Sequence, residues 1–134
     1  MKANQITRIV NALAPYFSNY VLYAPYVVGE DKEFECYPVT EFKLSFLRRN
    51  QKLEVLIKTR FTTDAPLELK DLIDFLTSHP LESSINVLVG ETNEDASHVN
   101  SFVLVPSRQM ILFKDYDFSL NKIIEEYEDA IMIL

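Results

Sequence analysis

Two neighbouring segments that alternate between apolar and polar residues constrain the fold of this chain more than any other feature. The segments EFKLSFLRR and KLEVLIKTRF flank the dipeptide NQ, and each alternates with a period of two residues. Such alternation is typical of β-strands with one buried face, and a short polar loop between two of them predicts an antiparallel hairpin. The predicted register places Phe46 opposite Val55 on the inner face, and Lys43 opposite Lys58 on the outer face.

Helical and strand patterns before and after the hairpin predict an α+β domain. Apolar residues at helical spacing predict a first helix, which either kinks or ends near Pro15, and a middle helix that begins after Asp64. Ser119 is predicted to cap a last helix. The predicted strands outside the hairpin are YVLYAPYVV, EFECYPV, SINVLVG, HVNSFVLV and RQMILFK. The predicted order is therefore α-β(3-4)-α-β(2-3)-α, an antiparallel sheet packed against N-terminal, middle and C-terminal helices.

The length and composition of the chain indicate a single α+β domain over residues 1–134. Hydrophobic residues make up 48% of the 134 positions, which is enough for a core. No apolar run approaches the roughly 18 residues of a membrane span, and the first residues lack the apolar stretch of a signal peptide. With one cysteine, Cys36, the chain cannot form an internal disulfide, which fits a reducing compartment. We therefore expect a cytoplasmic protein with no membrane partner.

Residues that carry common catalytic or cofactor chemistry do not form recognisable motifs in this chain. The two glycines, Gly29 and Gly90, are too far apart for a phosphate-binding loop. The acidic loop before His98 offers too few ligands for a zinc site. Cys36 has acidic neighbours, which raise a thiol pKa, and it shares a strand face with Phe34, so it is interpreted as a core residue. We therefore predict no catalytic residue, no metal, no cofactor and no enzymatic activity.

The charge of the chain is unevenly distributed. The net charge is −7 and the pI is near 4.8. Between residues 43 and 60, however, six basic residues stand against the single acid Glu54, a local balance of +5 that leaves −12 for the rest of the chain. The overall negative charge disfavours nucleic acid and anionic membranes as partners. A basic segment in an acidic molecule instead suggests a site for a protein partner.

The outer face of the predicted hairpin is the first candidate partner-binding site. Two leucines are predicted to lie there among basic side chains, which resembles a small apolar contact with a charged rim. The alternative is a solvated face on which long basic side chains cover the leucines. A nucleic-acid site is disfavoured because this face has no aromatic residue on which bases would stack. The candidate residues are Lys43, Leu47, Arg49, Leu56, Lys58 and Arg60.

The C-terminal segment EEYEDAIMIL is the second candidate site. It is predicted to continue the last helix, with Leu120, Ile131 and Leu134 on the core face. Met132 and Ile133 then project from the acidic side, where the acids of the last turns also oppose the helix dipole. A neighbouring surface would relieve both problems. Met132 and Ile133 are therefore predicted to contact a partner, either the basic hairpin or a second copy of the chain in a homodimer.

The element order, small size and low pI resemble those of the type III secretion chaperone-like proteins. The resemblance runs from the helix at residues 6–17 through EFKLSFLRR and KLEVLIKTRF to SLNKIIEEYEDAI, although the strand RQMILFK departs from the family's element count. It implies a non-enzymatic, usually dimeric protein that holds an unfolded segment of another protein without ATP, and no functional residue carries over. The alternative is an acidic inhibitor, such as a toxin-immunity or phage anti-defence protein, that blocks a basic nuclease or effector surface.

Overall fold

The computed structural model of the chain describes residues 1–28, 33–47, 52–79, 81–82, 84–116 and 118–133. Three α-helices, a short 3-10 turn and eight strands lie within these ranges. The helices are α1 (Ala3–Phe17), α2 (Leu69–Ser78) and α3 (Leu120–Glu126), and the 3-10 turn is Pro106–Arg108. The strands are β1 (Val21–Val28), β2 (Glu33–Leu47), β3 (Lys52–Thr59), β4 (Asn86–Gly90), β5 (Ser97–His98), β6 (Ser101–Val105), β7 (Met110–Lys114) and β8 (Ile131–Ile133).

The eight described strands form one mixed sheet in the order β5-β4-β3-β2-β1-β7-β6-β8. Five neighbouring pairs are antiparallel, but β3 pairs with β4, and β1 with β7, in parallel. The predicted antiparallel sheet is therefore wrong. A helical crossover through α2 separates β3 from β4, and such a crossover lets the second strand run parallel to the first. The predicted element order is also wrong, because four described strands lie between α2 and α3 and another follows α3.

The helices cover both faces of this sheet. α1 and α2 pack on the first face, where Ile6 and Leu72 join a core that includes Phe102 of β6. α3 packs on the second face, where Ile123 joins a core that includes Val103, the next residue of β6. α1 continues through Pro15 to its end at Phe17. Within the described ranges, no helix is both long and apolar enough to cross a membrane.

A β-bulge in β2 reverses which alternate side chains of that strand point to each face of the sheet. The pairing of β2 with β3 is irregular between Val39 and Glu41. Before the bulge, Cys36 packs against the core of the second face, whereas after it Phe42 packs against the core of the first face. Because a bulge inserts one extra residue, even-numbered positions face opposite sides before and after it. This exchange places Cys36 beneath α3 rather than beneath α1 and α2.

The described side chains of the β2–β3 hairpin lie on their predicted faces, but the strands pair in a different register. Lys43 lies opposite Leu56, and Lys58 lies opposite Glu41. The predicted pairing of Lys43 with Lys58 is therefore wrong by two residues. A shift of two leaves every side chain on its own face, so the hydrophobic pattern cannot distinguish the two registers. The observed register replaces a like-charge pair by an acid and a base in opposite positions.

The C-terminal tail forms a strand and not the predicted continuation of the last helix. α3 ends at Glu126, and Tyr127 has extended backbone angles of φ −126° and ψ 99°. Residues 131–133 then pair antiparallel with β6 as β8. Two physical terms favour the strand, because a longer helix would end among acids that oppose its dipole and β8 satisfies backbone groups along β6. Leu134, the predicted end of the helix, lies outside the described residues.

Candidate functional site

The outer edge of β8 is the first of two candidate sites. β8 stands last in the strand order and pairs with β6, with Met132 opposite Val103. Among the described residues, no strand lies beside the other edge of β8, so backbone groups on that side have no sheet partner. The side chains of Ile131 and Met132 are 54% and 40% exposed. An apolar edge strand of this kind is a surface to which an extended peptide can add as a further strand.

The turn between α3 and β8 fixes the position of this edge. The Asp129 carboxylate accepts one hydrogen bond from Ser107 N at 2.7 Å and another from Ser107 Oγ at 2.8 Å. These bonds, the backbone one first, lower the pKa of Asp129 below its usual value near 3.8. Ala130 N also donates to Tyr127 O at 3.1 Å. The Ser107–Asp129 contact ties the start of β8 to the 3-10 turn that joins β6 to β7.

The two predicted partner-binding residues of the tail both lie in β8. Ile133 is half-buried and packs against the core of the first face. Met132 is exposed, and strand alternation directs it to the opposite face. Ile131, which the helical pattern assigns to the core, is more exposed than Met132. The exposed apolar pair of the tail is therefore Ile131 with Met132.

The part of the outer hairpin face around Leu56 is covered by the chain's own acidic loop. Leu56, predicted to be exposed on this face, is 2% exposed. The loop at residues 91–96 folds over it, and Asn93 Nδ2 donates a short hydrogen bond to Ser45 Oγ of β2. Gly90 permits this return, since a Cβ there would lie 2.7 Å from Ala96 Cα. Leu56 is therefore not part of an open apolar surface, and the side chain of Leu47, its predicted neighbour, lies outside the described residues.

The basic side chains of this face share a cavity with the acids of the loop. Lys43 and Lys58 are half-buried and, with Leu56, line one side of a cavity of about 520 Å³. Three acids line the other side, namely Glu91, Glu94 and Asp95. Opposite charges so placed offset part of the local positive charge.

Arg60, a further predicted hairpin residue, does not line that cavity. Arg60 follows the end of β3, where its side chain is exposed and its backbone N donates to Pro38 O at 3.2 Å. Arg49 and the side chain of Leu47 lie outside the described residues. Of the four predicted residues whose side chains are described, the structure therefore brings together three, Lys43, Leu56 and Lys58, beside the acidic loop.

A cleft lined by residues from both faces of the sheet, called the aromatic cleft below, is the second candidate site, because Cys36 and Tyr127 pack against the core of the second face whereas Tyr37 stacks on Tyr26, which packs against the core of the first face. It has a volume of about 570 Å³ and lies between the end of α3 and the segment that follows β3. Four aromatic rings line it, those of Tyr23, Tyr37, Phe61 and Tyr127. Three charged residues also line it, Glu35, Glu126 and Arg108, and Cys36 lies among them. These residues come from five separate segments, which explains why the sequence pattern does not reveal them as one site.

Cys36 in this cleft is a neutral thiol. Its Sγ lies 3.8 Å from the Tyr127 hydroxyl oxygen. Burial raises the pKa of Cys36 to about 11, an effect that outweighs the lowering by the Tyr127 hydrogen bond. Burial also raises the pKa of Tyr127 to about 12. Because a nucleophilic cysteine reacts as the thiolate, these values argue against covalent catalysis at Cys36 near neutral pH.

Neither metal chemistry nor relatedness supplies a further assignment. Within the part of the chain that the structure describes, no group of three or more His, Cys, Asp or Glu side chains is arranged to hold a metal ion. Comparison with protein-family models found no match, and comparisons with curated proteins and with solved structures found no significant one. The resemblance to secretion chaperone-like proteins therefore stays a prediction.

Proposed function

We propose that this chain is a non-enzymatic protein-binding module that holds an extended segment of a partner protein as an added strand beside β8. The observation that carries this proposal is the combination of an unpaired strand edge with exposed Ile131 and Met132. Backbone hydrogen bonds to the edge provide affinity for any extended segment, and side-chain contacts provide selectivity. This mode matches the chaperone-like function that the sequence resemblance implies.

The side chains of β8 favour an apolar partner segment. Ile131 and Met132 project from opposite faces of the strand, so an added strand would contact one of them on each face of the sheet. β8 has three residues, so few backbone hydrogen bonds are available and apolar contacts must contribute much of the affinity. The exposed acids Glu125 and Glu128 lie nearby in the chain and disfavour an acidic segment.

The alternative function is an acidic inhibitor that blocks a basic nuclease or effector surface. Its support is the charge distribution, since the chain outside residues 43–60 carries −12. An inhibitor of this type would bind a folded partner, and salt would weaken the complex strongly. The two functions therefore differ in what is bound, a short extended segment in one and a folded basic surface in the other.

The experiment that tests the proposal uses substitutions on the exposed edge. Affinity capture from the native host would first identify the partner, and overlapping short peptides of that partner would then locate the bound segment. Ile131→Lys with Met132→Lys should abolish peptide binding, because lysines on an edge strand oppose strand addition. The matched control is Val27→Lys with Ile124→Lys, because these residues are 55% and 40% exposed and lie outside β8.

The outcomes separate the two functions. Binding of one short peptide that is lost in the β8 variant and kept in the control supports strand addition. Binding that requires the folded partner, falls with salt and survives the β8 substitutions contradicts strand addition and favours the inhibitor. Circular dichroism of both variants verifies that the fold is retained.

A further inference from the structure

The aromatic cleft already accommodates one guanidinium group from the chain itself. The Cζ atom of Arg108 lies 5.9 Å from the centre of the Tyr127 ring. This distance is within the range of a cation–π contact. Elsewhere on the lining, Tyr37 and Phe61 pack edge to face with their ring centres 5.6 Å apart. Phe61 is 67% exposed, so a large part of its surface is open to a ligand.

The charges around the cleft favour a cation. Glu35 and Glu126 outnumber Arg108 on its lining. The negative charge of Glu126 acts on other residues of the cleft, since it contributes to raising the pKa of both Cys36 and Tyr127. The opposing effect of Arg108 on the pKa of Tyr127 is the smallest of those that act on it. An anion such as a phosphate would meet net repulsion here, in keeping with the net charge of −7.

The cleft therefore combines aromatic faces, carboxylates and a volume suited to a side chain. We propose that the aromatic cleft binds the guanidinium group of an arginine side chain that a partner peptide presents. Arginine fits better than lysine because its planar group stacks on aromatic rings and pairs with a carboxylate through two hydrogen bonds. This site is separate from β8 and goes beyond strand addition. A partner that used both sites would be a segment with an apolar portion and a basic portion.

The test is a titration of the isotope-labelled protein with a blocked Ala-Arg-Ala tripeptide, followed by NMR. The matched ligand is the same tripeptide with citrulline, which has nearly the shape of arginine but no charge. Only the arginine peptide should shift the backbone amide signals of Tyr37, Phe61 and Tyr127. Glu35→Gln with Glu126→Gln should weaken this binding at least about fivefold, because it removes the carboxylates that would pair with the guanidinium group. Both carboxylates are exposed, so their loss should leave the fold intact.

Two further variants separate the aromatic contribution from the charge. Phe61→Leu should weaken arginine binding by about threefold or more, whereas Phe61→Tyr, which keeps the ring, should not. Arg108→Gln should strengthen binding several-fold, because it removes the resident cation and frees a face of Tyr127. Since Phe61 and Arg108 are both exposed, these substitutions test the site without disturbing a core.

The results that would overturn the proposal are distinct. Equal binding of the arginine and citrulline peptides, signal shifts that map elsewhere, or absence of shifts at saturating peptide would each contradict it. Weaker binding of the arginine peptide by Arg108→Gln would also contradict it, because removal of a competing cation should favour a bound guanidinium group. The β8 variant Ile131→Lys with Met132→Lys should bind the arginine peptide normally. Failure of strand addition at β8 therefore leaves this inference standing, and the reverse also holds.

Discussion

At the scale of single residues, the surroundings of Cys36 raise its pKa, whereas those of Asp129 lower its pKa. Cys36 is partly buried beneath α3, and its pKa is raised to about 11 because burial disfavours the thiolate. Asp129 lies at the surface, where two hydrogen bonds from Ser107 stabilise its charged form. The first residue should therefore be chemically inert near neutral pH, and the second should make the tail sensitive to acid.

The inertness of Cys36 can be measured by alkylation with iodoacetamide. A shift of the thiol pKa from 9.0 to about 11 lowers the thiolate fraction at pH 8 about a hundredfold. Alkylation of the folded protein at pH 8 should be slower by at least that factor than alkylation of the same protein unfolded in urea. Comparable rates in the two states would mean that the thiol is exposed and has its ordinary pKa, which would contradict its burial beside Tyr127.

The acid sensitivity of the tail follows from Asp129. Its folded-state pKa is below the unfolded value near 3.8, so its contribution to stability is present above that value and is lost as the pH falls through the folded pKa. Amide exchange should show β8 losing protection in this acidic range before the central strands do. At pH 7, Asp129→Asn should expose the amides of β8 selectively, whereas the neighbouring Glu128→Gln should leave their protection unchanged.

At the scale of elements, alternation predicted the faces of the described hairpin side chains from Glu41 to Ser45 and from Leu53 to Thr59, but not the bulge in β2 or how the strands pair. Lys43 lies opposite Leu56 instead of Lys58, because registers that differ by two residues present the same faces. Strand direction is equally invisible to such a pattern, so the parallel pairing of β3 with β4 was not predicted. The prediction of a helix for the tail was wrong for another reason, since the segment IMI fits both a helical stripe and a short strand.

The covering of β3 by the acidic loop leads to a prediction about two neighbouring leucines. Leu56 is 2% exposed beneath residues 91–96, whereas Leu53 of the same strand is 41% exposed. Leu56→Ala should lower the free energy of unfolding by about 2 to 4 kcal/mol, because it leaves a cavity under the loop. Leu53→Ala should lower it by less than about 1 kcal/mol. Urea denaturation measures both, and equal losses would show that the loop does not cover this face in solution.

At the scale of the whole molecule, the candidate sites depend on how distant segments come together. The apolar residues at the end of an acidic tail predicted an exposed contact site, and Met132 does lie at the sheet edge. The basic residues of the hairpin did not reveal the acids beside them, because the acids that face Lys43 and Lys58 come from a loop after β4. The aromatic cleft could not be anticipated, since the fold alone brings Phe61 close to Tyr37. Local patterns report which residues of one strand share a face, and sites assembled from several elements require the topology.

The free edge of β8 also bears on self-association, because two copies could pair β8 with β8 about a twofold axis. Each copy offers three residues of strand, so the dimer should be weak and should form only as the protein concentration rises. Light scattering should show an average mass that increases with concentration and returns to that of the monomer when residues 132–134 are deleted. Ile131→Lys with Met132→Lys should have the same effect, and Val27→Lys with Ile124→Lys should not. A partner segment that adds to β8 must compete with this pairing, so a bound peptide should also dissociate the dimer. A monomer at every concentration, before and after the deletion, would exclude self-association through the tail.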